Sequence, residues 1–126
     1  MKKEWIAILL LGGILAGNLW NLRHMDTLAQ ALLRTTEDAY SASVEEDWPS
    51  AVTMAENARR LWFSEELYTH IFIRHPEIDS LTDELCDLRG AIEGRDSAEI
   101  LGAYLSVTAR INSILKMEMP SVGSIL

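Results

Sequence analysis

Cysteine is almost absent from this chain. Cys86 stands alone, so no intrachain disulfide can staple the fold, as small secreted domains usually require. Its neighbours Glu84 and Asp87 are not the cations a reactive thiolate needs. With Leu85 beside it, it reads as a structural thiol at the edge of a core. Prolines number three, and no glycine-rich phosphate loop occurs. No strand-type alternation of useful length appears, which excludes a sheet-based fold. Basic charge is also scarce. Residues 23–126 carry 9 basic against 18 acidic side chains, a formal charge of −9. Nucleic acid and anionic lipid surfaces are thereby disfavoured as partners, because their phosphates must be met by Lys and Arg. The acidic surface reads as a solvated face.

Catalytic signatures are missing too. No serine has the context of a nucleophile elbow. The carboxylate pairs and triplets, Glu45-Glu46-Asp47, Glu65-Glu66 and Asp83-Glu84, lie in no apolar run that would desolvate them for acid catalysis. His70 and His75 are five residues apart, which puts them on different faces of one continuous helix rather than at the three- or four-residue spacing of shared metal ligands. Glu66 and His70 do have that spacing. A small-ligand or metal sensor around Glu66, His70 and His75 is therefore the alternative reading. The leading reading assigns no catalytic residue, no metal and no cofactor.

What the chain does have is an apolar stretch. Trp5 to Leu22 is 18 consecutive positions without an ionisable side chain, directly after Lys2-Lys3-Glu4. A membrane-spanning helix needs roughly 17–25 apolar residues. Trp5 and Trp20 bracket the run, where indoles favour the membrane–water interface. A cleaved signal is the competing reading, but cutting after Ala16 or Gly17 places Ile14 or Leu15 where a small residue is preferred. The uncleaved anchor is favoured. Lys2 and Lys3 point to a cytoplasmic N-terminus and an extracytoplasmic domain. Gly13 and Gly17 form the G-x-x-x-G spacing that lets two membrane helices touch.

The rest is helical. Leu22, Met25, Leu28, Leu32, Ala39 and Ala42 form one stripe, in a helix that either continues the anchor or bends near its glycines. Asp47 is a cap, with Trp48-Pro49 in the first turn. Trp48, Ala51, Ala55, Ala58 and Trp62 follow at spacings of 3 and 4, an alanine groove closed by indoles that a partner helix would approach closely. This helix runs either to about Arg74 or to a hinge near Phe63-Ser64, and His75-Pro76 ends it. Ile78, Leu81, Leu85, Leu88 and Ile92 make a second seam, stopped by Gly94. Ile100, Tyr104, Val107, Ile111 and Ile114 make a third, widened by Leu101, Leu105 and Leu115 and ended by Pro120. Short turns imply antiparallel neighbours. The expected architecture is all-α: an anchor over 1–22, an up-and-down bundle of about four helices over 23–120, and a tail over 121–126 whose Ile125-Leu126 end folds back.

These residues also carry a resemblance. A basic start and apolar anchor, Glu46-Asp47-Trp48, Trp62, the corner His75-Pro76-Glu77-Ile78-Asp79 and the end Ser124-Ile125-Leu126 resemble the bacterial membrane-anchored family known as domain of unknown function 4363. The resemblance spans nearly the whole chain and implies a helical, anchored, extracytoplasmic protein. It implies no activity. The expected function is a noncatalytic, single-pass interaction or scaffold module of the bacterial envelope. Its partners would be the bilayer, through the N-terminal helix, and an unidentified envelope protein or a second copy.

Overall fold

A computed structural model describes the backbone of residues 2–73 and 75–118. Over them the chain forms five helices: α1 (Lys2–Val44), α2 (Trp48–Ser64), α3 (Glu66–Phe72), α4 (His75–Gly94) and α5 (Ser97–Glu118). The expected stop at Pro120 and the tail 121–126, with its Ser124-Ile125-Leu126 end, lie outside the described residues.

The anchor and the first bundle helix are one uninterrupted helix of 43 residues, with no break at Gly12-Gly13 or Gly17-Asn18. Helix α1 packs against α2 and α5, and α4 packs against the same two. The four long helices therefore form a ring in which chain neighbours are space neighbours, the antiparallel bundle that short connections favour. The seams meet in one core. Leu32, Leu81, Leu85, Leu88, Ile92, Ile100 and Val107 are almost wholly buried. Each such side chain contributes about 1.5–3 kcal/mol of burial free energy. Thr36 completes the α1 stripe and is also fully buried. Its hydroxyl donates to the Leu32 carbonyl at 2.9 Å, so no orphaned polar group results.

The turns explain where the helices stop. After Val44, Glu46 takes a left-handed conformation (φ 60°), Asp47 N–H donates to the Ala42 carbonyl (2.9 Å) and Glu46 N–H to that of Ser43 (3.1 Å). This is the Schellman closure, built on glutamate where glycine is usual. Asp47 then caps α2 by accepting from Ser50 N–H. At the next distal turn the left-handed residue is Arg95 (φ 56°), not Gly94, which is the last residue of α4. Asp96 caps α5 by accepting from Ala98 and Glu99 N–H at 3.1 and 3.3 Å.

At the opposite end, α2 does not run on to Arg74. Its last turn is pulled off register at Ser64, whose hydroxyl donates back to the Leu61 carbonyl (2.7 Å). Glu65 N–H correspondingly donates to the Trp62 carbonyl. The next break falls at extended Ile73 (φ −114°, ψ 144°). It therefore lies ahead of His75-Pro76, and both of those residues occupy the first turn of α4, where a missing amide hydrogen costs nothing.

Candidate functional site

The residues that join the N-terminal half of α1 to the bundle form a polar and aromatic cluster at the neck. From Lys2 to Trp20 every residue of α1 is exposed; at Met25 burial begins. Between them, the His24 ring stacks on Trp20 (centroids 5.1 Å apart, planes 9° apart). The Tyr68 ring of α3 makes T-shaped contacts with His24 and Trp20, with centroids 4.4 and 6.4 Å apart. The Tyr68 hydroxyl donates to the Asn21 carbonyl oxygen at 3.0 Å and also bonds the Asn21 side-chain oxygen. His24 Nε2 lies 3.0 Å from Glu65 Oε2. Thus the α2–α3 junction grips α1 one turn beyond its exposed half.

The sequence-derived positions fall in different environments. Trp5, Gly13, Gly17 and Trp20 are exposed, and a side chain added at Gly13 or Gly17 would meet nothing within 4 Å. The alanine stripe is not an open groove. Ala51, Ala55, Ala58 and Trp62 are buried at 0–3% exposure, and Trp62 Nε1–H donates to Thr82 Oγ1 of α4 at 2.9 Å. Small residues on α2 admit helices of the same chain, so the predicted docking groove is an internal seam. Trp48, half-buried, lies under the Arg95 guanidinium, 5.5 Å from the ring centroid.

In the corner His75-Pro76-Glu77-Ile78-Asp79, Ile78 enters the core and Glu77 accepts from Arg110 of α5 at 3.1 Å; His75, Pro76 and Asp79 stay exposed. The break at Ile73 brings His70 and His75 together, with ring centroids 5.1 Å apart, where a continuous helix would have separated them. Glu66 Oε1 lies 3.7 Å from His70 Nε2. Among the described residues no group of three or more His, Cys, Asp or Glu side chains is placed to hold a metal ion.

Cys86 is exposed rather than set at the core edge. It lines an open groove of about 520 Å³ between α4 and α5 with Glu84, Asp87, Glu99 and Ser106. Leu101 and Leu105, expected to widen the α5 seam, are likewise exposed, at 43% and 55%.

Two ionic clasps escaped the sequence reading. Glu56 of α2 takes Arg59 at 2.8 Å, Arg60 at 3.5 Å and Arg89 of α4 at 2.9 Å. Arg110 bridges Glu77 and Glu84 at 3.1 Å each. Hydrogen bonds from Arg59 hold the Glu56 carboxyl below its ordinary range, against the opposing effect of desolvation. Those to Glu84 and Glu77 raise Arg110 above its own. Only the local Glu56-Arg59-Arg60 spacing signals any of this in the sequence.

Among the described residues one helix, α1, is long and apolar enough, by length and composition, to cross a membrane. A family described as a domain of unknown function, DUF4363, matches residues 19–125, a span that begins at the neck and covers the bundle. Comparison with curated proteins and with solved structures gave no match.

Proposed function

The chain belongs to the family of the domain of unknown function DUF4363, and from that premise we propose a noncatalytic helical interaction or scaffold module. It is held on the bacterial cell membrane by a single pass of α1, with the bundle outside the cytoplasm. One observation carries this reading. Within a single helix, Trp5, Ile6, Ile8, Leu9, Leu10, Leu11, Ile14, Leu15, Leu19 and Trp20 are 55–71% exposed, whereas the stripe from Met25 onward is buried. An apolar surface of this extent needs a partner, and none of the other described residues covers it. The exposed run from Trp5 to Trp20 spans about 24 Å at 1.5 Å per residue, a few ångströms short of a hydrocarbon core of about 30 Å, a mismatch that bilayer thinning and flanking residues absorb at modest cost. Lys2 and Lys3 favour keeping the short end in the cytoplasm. The open faces at Gly13 and Gly17 suit a second membrane helix, from another copy or from an envelope protein.

Native Cys86 provides the test, because it is exposed and alone. Whole cells would be treated with a membrane-impermeant maleimide and fractionated, with Cys86→Ser as control. Labelling of a full-length, membrane-bound chain is the expected result. Protection until lysis would put the bundle in the cytoplasm, and a shortened soluble product would make the N-terminal segment a cleaved signal.

A second reading, a metal or small-ligand sensor on Glu66, His70 and His75, is supported by the closeness of the two imidazoles. It ranks behind the first because these three side chains are not placed together as a metal-holding group among the described residues. A thermal midpoint unchanged by zinc, manganese or nickel would remove it.

A further inference from the structure

At the neck end of the bundle, α3 carries an apolar face that the other described residues leave exposed. Leu67 and Ile71 are four residues apart on one side of α3 and are 79% and 64% exposed; Phe63, at the end of α2, is 41% exposed. The opposite side is anchored: Thr69 is buried, and Tyr68 is bonded to Asn21 and packed against Trp20 and His24. Because α2 descends to Ser64 and α4 rises from His75, the intervening α3 closes the end of the bundle next to the exposed half of α1.

We propose that α3 is a membrane-surface foot, with Leu67 and Ile71 seated in the headgroup layer of the bilayer that α1 crosses. This rests on the anchor reading above. Three observations select lipid as the occupant. Helix α1 is unbroken from Lys2 to Val44, so the height of α3 is set rigidly by its partners Trp20, Asn21 and His24. Those partners span four residues, or about 6 Å along the axis, which keeps α3 within the interfacial layer if Trp20 marks the hydrocarbon boundary. The two carboxylates beside the patch each have a histidine close by, His24 at 3.0 Å from Glu65 and His70 at 3.7 Å from Glu66. The patch lies beside the neck of α1, on the side of α3 turned away from the Tyr68 contact, and its contact with lipid is apolar rather than electrostatic, as suits a chain with so few basic residues.

The full chain would be reconstituted in phosphatidylcholine vesicles in a Cys86→Ser background. An environment-sensitive thiol fluorophore would be placed singly by Leu67→Cys, Ile71→Cys and, at the far end, Leu101→Cys. Lipids with a shallow quencher should cost the first two probes much of their emission and leave the third unchanged. If the chain floats with the vesicles but all three probes respond alike, the anchor stands and the foot is refuted. A chain that does not float overturns both. If Leu67→Cys forms an intermolecular disulfide and its probe ignores the lipid quencher, a second copy covers the face and the proposal fails.

Discussion

His24 and Glu65, 41 residues apart in the chain, meet at 3.0 Å and tie the neck of α1 to the junction of α2 and α3. Tyr68 closes the same contact from the other side through Asn21. Tyr68→Phe removes the hydroxyl while keeping the ring against His24, and should cost about 1 kcal/mol. Hydrogen exchange should rise in residues 63–73 before it rises in the α4–α5 seam. Equal loosening everywhere would mean that the cluster is not a separate latch.

Trp62 is a core side chain, not a contact for an outside partner. Trp62→Ala should cost roughly 3–5 kcal/mol through the cavity it leaves, a large share of a typical total of about 5–15 kcal/mol. Trp62→Phe keeps most of the volume but strands Thr82 without its indole donor, and should cost less. Denaturant midpoints of the two variants give the order. An alanine variant of normal stability would contradict the burial of this seam.

Glu46 occupies a left-handed position that glycine fills at lower cost. Glu46→Gly should raise stability by roughly 0.5–1 kcal/mol, since relief of the Cβ clash outweighs the added freedom of the unfolded chain. Thermal melts of the two forms would show it. A lower midpoint would mean that the glutamate side chain contributes something the turn geometry does not reveal.

The clasp at Glu56 makes stability depend on pH. Its folded pKa is depressed, first by the Arg59 hydrogen bonds and then by the charges of Arg59, Arg89 and Arg60. Such a carboxyl adds stability above its unfolded pKa, about 4.3 for glutamate, and that contribution is lost as pH falls through the lower folded value. Glu56→Gln should therefore lower the midpoint at neutral pH and lessen the further fall on acidification below about pH 4. The change should be modest, because the groups are solvent-screened. Melts across pH 2.5–7 compare the two slopes, and parallel curves would show that other carboxylates dominate the acid limb.

Much of the fold was legible because helical periodicity is local. The seams Ile78-Leu81-Leu85-Leu88-Ile92 and Ile100-Val107-Ile111-Ile114 are buried where the pattern put them. Asp47 caps where a short side chain competes best for free amides. The candidate site was less legible: a hinge near Phe63-Ser64 is one of two readings of α2, and with no proline or glycine there nothing local decides between them. The break at Glu65 turns α3 back onto α1, and extended Ile73 lets His70 reach His75.

The all-α class, the apolar N-terminal half of α1, the core stripes and the lack of an intrachain disulfide are local properties, since each follows from neighbouring residues or from composition. Tertiary structure alone decided that the alanine stripe of α2 faces inward, that Cys86 and Leu105 face out, and that His24, Glu65, Tyr68 and Asn21 converge. A stripe fixes which side chains share a face. Which helix covers that face depends on the connections and on the backbone angles of a few junction residues, whose effects reach across more than 40 positions.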